Sequence, residues 1–312
     1  DQVESVRMLT PQGVLETTRL PASGAGPDPN RMVLGSEGTL GVITEAWMRV
    51  FERPRFRSSV SLCFQKFSEG MATIREIVQG GMTPANCRLL DAREALLHGV
   101  NFSGESVLLL GFESALFSSE TQMGNALGIA KSNGGRVHGD PRHLEVQQKD
   151  EKDDVTSGWR QAFFDAPYLQ SALVSLGVMA DTFETACTWS GFEAMHQAIV
   201  ADVRLAMKEV CGRGFLSTRI THVYPDGPAP YYTFVAPVRP GSELSQWAEI
   251  KSAASEAILK YGGAVTHHHG VGRMHRPWFE RQSSEIWKKA LRATKSALDP
   301  SSILNPGVLL EL

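Results

Sequence analysis

The sequence predicts an α+β protein: a glycine-punctuated, strand-rich opening, a duplicated body of antiparallel strands carrying helices, and a helical tail. Three observations carry that expectation. Residues 1–50 read as strands broken by Gly24, Gly26, Gly35, Gly38 and Gly41, five glycines in eighteen positions. That density marks a backbone that must bend or be approached closely. From "ERPRF" at 52–56 onward, strands alternate with amphipathic helices. Within that region, 106–139 and 231–268 share one arrangement of strand, polar link, helix, Gly-Gly and strand, with "NGGRV" at 133–137 matching "YGGAV" at 261–265. Two βαβ-type halves of this kind are the signature of a ferredoxin-like layer, in which antiparallel strands carry helices on one face.

Taken in order, "DQVESVRMLTPQGVLETT" begins without methionine in a strand and turns at Pro11-Gln12-Gly13 into a second one. It reads as a hairpin from the middle of a domain, with any localisation signal upstream of residue 1. "SSVSLCF" (58–64) is a strand. "FSEGMATIREIVQGG" (67–81) is a helix with Ser68 as N-cap, Met71, Ile74 and Ile77 at helical spacing, and Gly80 and Gly81 as a stop. "ANCRLLDAREALLHG" (85–99) gives a short strand and a short helix. The link between the repeats carries the charged run "EVQQKDEKDD" (145–154), a solvated helix face or a loop, and then a long amphipathic helix over 191–210. The tail is a helix ending at Asp299-Pro300, with Leu291, Ala293 and Leu298 facing inward, then a Pro306-Gly307 turn.

Composition narrows the function. The 312 residues, 42% of them hydrophobic, suffice for two domains with a sizeable core. A net charge of -3, from 31 basic and 34 acidic residues mixed along the chain, gives no electrostatic reason to expect nucleic acid or a membrane surface as partner. Small molecules are the expected ligands. Cys63, Cys87, Cys187 and Cys211 show no CxxC spacing and read as reduced thiols in a cytosol-like compartment.

Five stretches could carry chemistry. In "LGSEGTLGVIT" (34–44) glycines let the main chain approach a flat or anionic ligand while Ser36, Thr39 and Thr44 supply hydroxyls. The spacing is neither a P-loop nor GxGxxG, and a turn between core strands is the alternative. "THHHGVGRMHR" (266–276) holds His267, His268 and His269. On a strand, only His267 and His269 could share a metal; as neutral imidazoles all three could serve as acid or donor groups; a plain surface run is the third reading. "STRITHVYPDGPAPYYTF" (217–234) places Arg219 and His222 on one strand and Tyr231 and Tyr232 at the start of the next, where the tyrosines either pack or act as acid-base groups. Because that second strand leads through a helix into the histidines, the sequence predicts that a tyrosine and a histidine share one sheet. Arg88, in a half-buried strand, wants an anion, either Asp91 or a substrate phosphate or carboxylate. Glu184, between Thr182 and Thr185, reads as a cap or strand-edge residue.

Together "VLGSEGTLGVITEA", "CRLLD", "DTFETACTW", "HVYPDGPAPYYTF", "THHHGVGRMHRPW" and "ALDPSSILNPGVL" resemble, in this order, the FAD-dependent oxidases of the vanillyl-alcohol oxidase type. Within them they are most similar to the alkyldihydroxyacetonephosphate synthase (alkylglycerone-phosphate synthase) branch. The triple histidine is the branch-specific element, since 2-hydroxy-acid dehydrogenases of the family usually show Glu-His-Gly there. The resemblance implies the C-terminal part of an FAD-binding domain at 1–52, a ferredoxin-like substrate-binding cap at 53–270, and a helical segment at 271–312 packing back toward the FAD site. The family's upstream flavin segments would precede residue 1, so the isolated chain is expected not to hold FAD alone.

It further implies FAD as cofactor, lined by Glu37, Gly38, Thr39, Leu40, Gly41, Val42 and Ile43. Tyr231 is implied as the acid-base residue, with His267, His268, His269 and Arg88 as active-site partners. Arg88, His222 and Gln170 are the implied substrate contacts, Gln170 standing where the branch carries an arginine. The implied reaction exchanges the acyl chain of acyl-dihydroxyacetone phosphate for a fatty alcohol in ether lipid synthesis, without net redox, through an adduct at flavin N5. The alternative is an FAD-dependent dehydrogenase of a 2-hydroxy acid or alcohol. The partners expected are these small molecules, a peripheral membrane contact and a second copy of the chain as a homodimer. The compartment expected is cytoplasmic for a bacterial relative and peroxisomal for a eukaryotic one.

Overall fold

The computed structural model describes residues 2–20, 24–101, 103–145 and 168–311. Most of the charged run at 145–154 lies outside them. The chain forms two compact units, Asp1–Glu52 with Val265–Leu312, and Arg53–Ala264.

The first unit opens on the expected hairpin. β1 (Val3–Thr10) and β2 (Gly13–Glu16) pair antiparallel, with Thr10 opposite Gly13. The Thr10 hydroxyl closes the turn, donating to the Gly13 carbonyl at 2.9 Å, while Gly13 takes a φ of 131° that disfavours a side chain. After α1 (Pro29–Val33), capped by Asp28, the chain returns as β3 (Val42–Met48) on the other side of β1. Alternation along β1 sends Val6 and Met8 into a core with Val33 and Leu40.

The second unit is a seven-stranded antiparallel sheet with order β7-β4-β6-β5-β9-β10-β8. Its first half runs β4 (Phe56–Phe64), α2 (Phe67–Gln79), β5 (Asn86–Leu90), α3 (Ala92–Leu97), β6 (Ser106–Ser114), α4 (Glu120–Ser132) and β7 (Arg136–Glu145). In the half's own numbering the strands lie 4-1-3-2, the ferredoxin-like arrangement. β6 reads as a continuous apolar run because both its faces are covered. Leu108, Leu110 and Phe112 pack with Ile74, Ile77 and Met123 from the helices, and Val107 and Leu109 pack with Leu90 and Ala95 on the opposite side. Full burial of such side chains contributes about 1.5–3 kcal/mol each. The α2 cap differs from expectation: Lys66 is the N-cap and Ser68 lies inside the first turn, because the Glu69 carboxylate reaches back to the Lys66 N–H at 3.2 Å.

A helical stretch at 168–175, α5, leads to the second half: β8 (Val178–Glu184), α6 (Trp189–Cys211), β9 (Phe215–Val223), β10 (Pro228–Pro237) and α7 (Glu243–Lys260). Here the order is β9-β10-β8, again second strand beside third beside first. β5 and β9 join the halves, Leu89 opposite Ile220 and Leu90 opposite Arg219. One face of the second half packs Phe183, Leu216, Tyr232 and Phe234 under Ile199, Val203, Ile250 and Ile258 of α6 and α7.

The duplication is incomplete, which corrects the repeat reading: the strand expected at 264–268 is not formed, and residues 265, 267 and 268 are bends. Instead of running along β8, Ala264 bonds beyond that strand's end, its N–H donating to the Ala186 carbonyl at 2.9 Å and its carbonyl accepting from the Thr185 hydroxyl at 2.6 Å. Gly263 allows this approach, since a Cβ there would stand 2.5 Å from the Thr185 oxygen.

The tail completes the first unit with two helices where one was expected, α8 (Arg276–Gln282) and α9 (Glu285–Leu298), divided where Ser284 caps the second. Ala293 is exposed and Leu291 and Leu298 are half-buried; the one buried residue of α9 is Lys295. Among the described residues no helix is long and apolar enough to cross a membrane.

Candidate functional site

Each unit contributes one cluster. In the first, Ser36 to Gly41 form a tight turn in which the Thr39 hydroxyl and N–H both donate to the Ser36 carbonyl, at 2.7 and 2.9 Å. Glu37 and Gly38 sit in the left-handed region, with φ of 51° and 73°. For a residue with a Cβ this costs about 1–2 kcal/mol unless its surroundings hold it there. Glu37 is held. Its carboxylate accepts the N–H groups of Val271 and Gly272 at 2.6 and 2.7 Å, and its carbonyl accepts from Asn305. The glycine turn and the segment after the histidines are therefore one structure. Behind it, the buried Lys295 ammonium donates to the carbonyls of Thr39 and Leu304, each at 2.8 Å, and pairs with Asp299. Burial opposes charge on Asp299, but Lys295 and the N–H groups of Ile303 and Leu304 hold its carboxyl below the usual range.

Of the seven residues singled out at 37–43, Leu40 is core and Glu37 and Thr39 spend their polar atoms internally. Gly41 is dictated by β1, since a Cβ there would meet Met8 Cγ at 2.5 Å and the Leu9 carbonyl at 2.8 Å. Gly38 main chain and the exposed side chains of Val42 and Ile43 remain to meet a ligand. His267, His268 and His269 follow one another edge to face, ring centroids 5.4 and 4.8 Å apart. In these bends the adjacent Nδ1 atoms of His267 and His268 approach to 3.2 Å. The 267-with-269 pairing that a strand would give is replaced. His275, not anticipated from sequence, is buried with Nδ1 at 3.0 Å from the Gly270 carbonyl.

In the second unit, one row crosses four strands: Leu90 on β5, Arg219 on β9, Tyr231 on β10 and Glu184 on β8 are mutual neighbours. Strand alternation puts Arg88, Ser217 and Thr182 on the same face, opposite the core that holds Tyr232 and Phe183. So the two tyrosines divide: Tyr232 is fully buried packing, and Tyr231 stands on the polar face. The Tyr231 hydroxyl donates to Thr182 Oγ1 at 3.0 Å, and the Arg219 guanidinium carbon lies 4.0 Å from the centre of its ring. Arg219 pairs with the fully buried Glu94. Burial alone would raise Glu94, but hydrogen bonds from His98 and Ser217 and the Arg219 charge hold it down to about 2. Asp91 is spent on backbone, accepting the N–H groups of Glu94 and Thr218 at 2.7 and 2.9 Å. Burial, followed by the charge of Arg219, lowers the pKa of Arg88.

Arg88 and His222 are brought together: both line an open cavity of about 470 Å³ walled by Val78, Met82, Val223 and Pro225. Gln170 is not part of that lining; it is exposed, and its amide donates to the Ala180 carbonyl at 2.7 Å. Sequence reasoning overlooked Glu94, Lys295 and Asp299. The visible signal for the latter pair was a lysine four residues before an aspartate on one helix face.

Residues 53–309 match the model for FAD linked oxidases, C-terminal domain. Over 99% of its length the chain is 25% identical to an alkyldihydroxyacetonephosphate synthase of Dictyostelium discoideum, covering 53% of that protein. It is 27% identical to the one of Trypanosoma brucei brucei, covering 52%, so it spans about half the length of these curated relatives. A mitochondrial D-lactate dehydrogenase [cytochrome] of Arabidopsis thaliana is 25% identical over 99% of the chain, with 52% of that protein covered. Among solved structures, an alkyldihydroxyacetonephosphate synthase superposes with a TM-score of 0.74 at 23% identity, over 98% of this chain and 54% of that one. At that identity the likeness speaks for the fold.

Proposed function

We propose, since the chain belongs to the FAD-linked oxidases through their C-terminal domain, that it is the substrate-facing part of a flavoenzyme exchanging the acyl chain of an acyl-dihydroxyacetone phosphate for a fatty alcohol. The carrying observation is the row of polar side chains on one sheet face, with Tyr231 fixed between Thr182 and Arg219 and Arg88 on the same face. The relatives named as alkyldihydroxyacetonephosphate synthases support this reading.

FAD fits the first unit. A flat ring needs main chain it can approach and an apolar floor, and Gly38 at positive φ beside exposed Val42 and Ile43 offers both. Glu37, Thr39, Leu40 and Gly41 would shape the turn from behind. Bound FAD supplies an electron-accepting ring. The protein's own groups do the rest. Tyr231 Oη is a proton donor toward Thr182 and, with that proton removed, a base for the carbon next to a ketone. Arg88 answers substrate negative charge at the cavity, His222 adds an imidazole beside it, and His267, His268 and His269 supply donors for developing negative charge. Gln170, standing where an arginine was expected, favours the second reading, a dehydrogenase of a 2-hydroxy acid.

The test uses the full-length protein. A flavin absorbance spectrum, ether product from acyl-dihydroxyacetone phosphate and a fatty alcohol, and loss of turnover with flavin retained in Tyr231→Phe are expected. A colourless protein would overturn the proposal. Flavin bleached anaerobically by D-lactate, with no ether product, would move it to the dehydrogenase.

A further inference from the structure

We infer that Arg219 is a positioning residue for Tyr231: clamped by the buried Glu94, its guanidinium sits over the tyrosine ring and fixes where the phenol points. The inference rests on the acid-base reading of Tyr231. Its geometry is independent of that reading. The 4.0 Å approach of Arg219 to the ring is much shorter than the 5.9 Å at which neighbouring Arg93 faces Phe215. Three separate elements make it. β9 carries Arg219 directly opposite Tyr231 of β10, α3 delivers Glu94 to the guanidinium, and Glu94 is itself anchored by Ser217 at 2.5 Å and His98 at 3.2 Å.

A buried ion pair contributes weakly to stability once the desolvation of both charges is counted. Its effect here is directional. With Glu94 completely buried and the Arg219 side chain only 11% exposed, neither partner has another place to go. The ring is pressed from one side while Thr182 holds the hydroxyl at its end.

Kinetics of the full-length flavoprotein test this. Arg219→Met should lower kcat about 30-fold, leave KM within about twofold and retain flavin. Millimolar guanidinium ion should restore part of the loss. Arg93→Met, removing the looser contact next door, should behave as the parent. Near-ultraviolet circular dichroism gives a readout apart from turnover: the tyrosine signal that Tyr231→Phe removes from the parent should already be missing in Arg219→Met. Should Arg219→Met leave Glu94 uncompensated and fail to fold, Arg219→Lys keeps the charge but not the plane, and a loss in kcat without a loss in melting temperature supports the same role. Parental kcat in the folded Arg219 variants, with Tyr231→Phe inactive, overturns the positioning role alone. Parental turnover in Tyr231→Phe overturns the acid-base reading and this inference together.

Discussion

Replacing His196 with glutamine should make the protein more stable than its parent at roughly pH 5, though not near neutrality. On α6 the His196 imidazole stacks on Phe192, centroids 5.3 Å apart, and its Nδ1 lies 3.1 Å from the Tyr232 hydroxyl. Burial there lowers its pKa from 6.5 to about 4, and the nearby charges of Glu193 and Arg204 act in opposite directions. The unfolded chain therefore takes up this proton first. Stability that is intact above 6.5 is lost as pH falls toward the folded value, by about 2 kcal/mol between roughly pH 7 and pH 5. Asp91 works the other way: burial raises it from 3.8 to about 6, so the folded state protonates first and gains about 1 kcal/mol over the same interval. The parent should thus change little on mild acidification. Glutamine keeps a hydrogen-bonding head and does not titrate. Its cost near neutrality, about 1 kcal/mol for the lost stacking, should shrink by about 2 kcal/mol at the lower pH and become a surplus. Urea midpoints of parent and variant at the two pH values, compared at a common slope, measure this. An equal deficit at both would refute a buried neutral imidazole.

Other expectations are local. Lys295→Met strips Asp299 of its partner and frees the Thr39 and Leu304 carbonyls. Thermal melting should fall by about 5–10 °C, against no change for Lys288→Met, whose partner Glu285 is exposed. At Gly227 a Cβ would overlap the Cys187 carbonyl oxygen, so Gly227→Ala should destabilise by about 3 kcal/mol. Gly124→Ala, in α4 with nothing near its Cβ, should instead stabilise by about 0.5–1 kcal/mol; chemical unfolding of the pair separates steric from entropic effects, and equal shifts would contradict the packing described.

Local periodicity makes several elements legible in the sequence alone. The hairpin at Thr10–Gly13, α2 with Ile74 and Ile77 inward, and the long helix α6 all come from spacing that water and a core impose on any chain. Tyr231 and Tyr232 show where such reasoning stops. Two adjacent tyrosines on a strand must face opposite ways, but which one meets the helices depends on β8 and β9 beside them. Glu94 illustrates a second limit. In "DAREALL" it is one acidic residue in a first helical turn, and its importance comes from Arg219, 125 residues away in sequence. Ala293 and Lys295 mark a third: the alanine expected to face inward is exposed, while the lysine two residues on is buried because Asp299 and two carbonyls replace its water.

The histidine run shows how an imperfect repeat brings three rings together. In the first half the residues after the second helix form β7 and pair with β4 from Phe56 to Cys63. In the second half the matching residues would extend the sheet beyond β8, and three consecutive histidines could do so only by alternating across it. Gly263 diverts the chain past the end of β8 instead, and Gly270 and Gly272, both at positive φ, keep it irregular until Glu37 captures the next two N–H groups. Freed from alternation, His267, His268 and His269 present successive rings within about one ring width of each other, a spacing no strand provides. Loss of one sheet strand and gain of a donor cluster are thus one event, and Glu37 is its hinge. Glu37→Gln, which leaves one of the two N–H groups facing an amide N–H₂, should therefore loosen 270–272 to hydrogen exchange while β4 to β7 stay as protected as in the parent; unchanged exchange at 271 and 272 would mean that the glycines alone hold the bend.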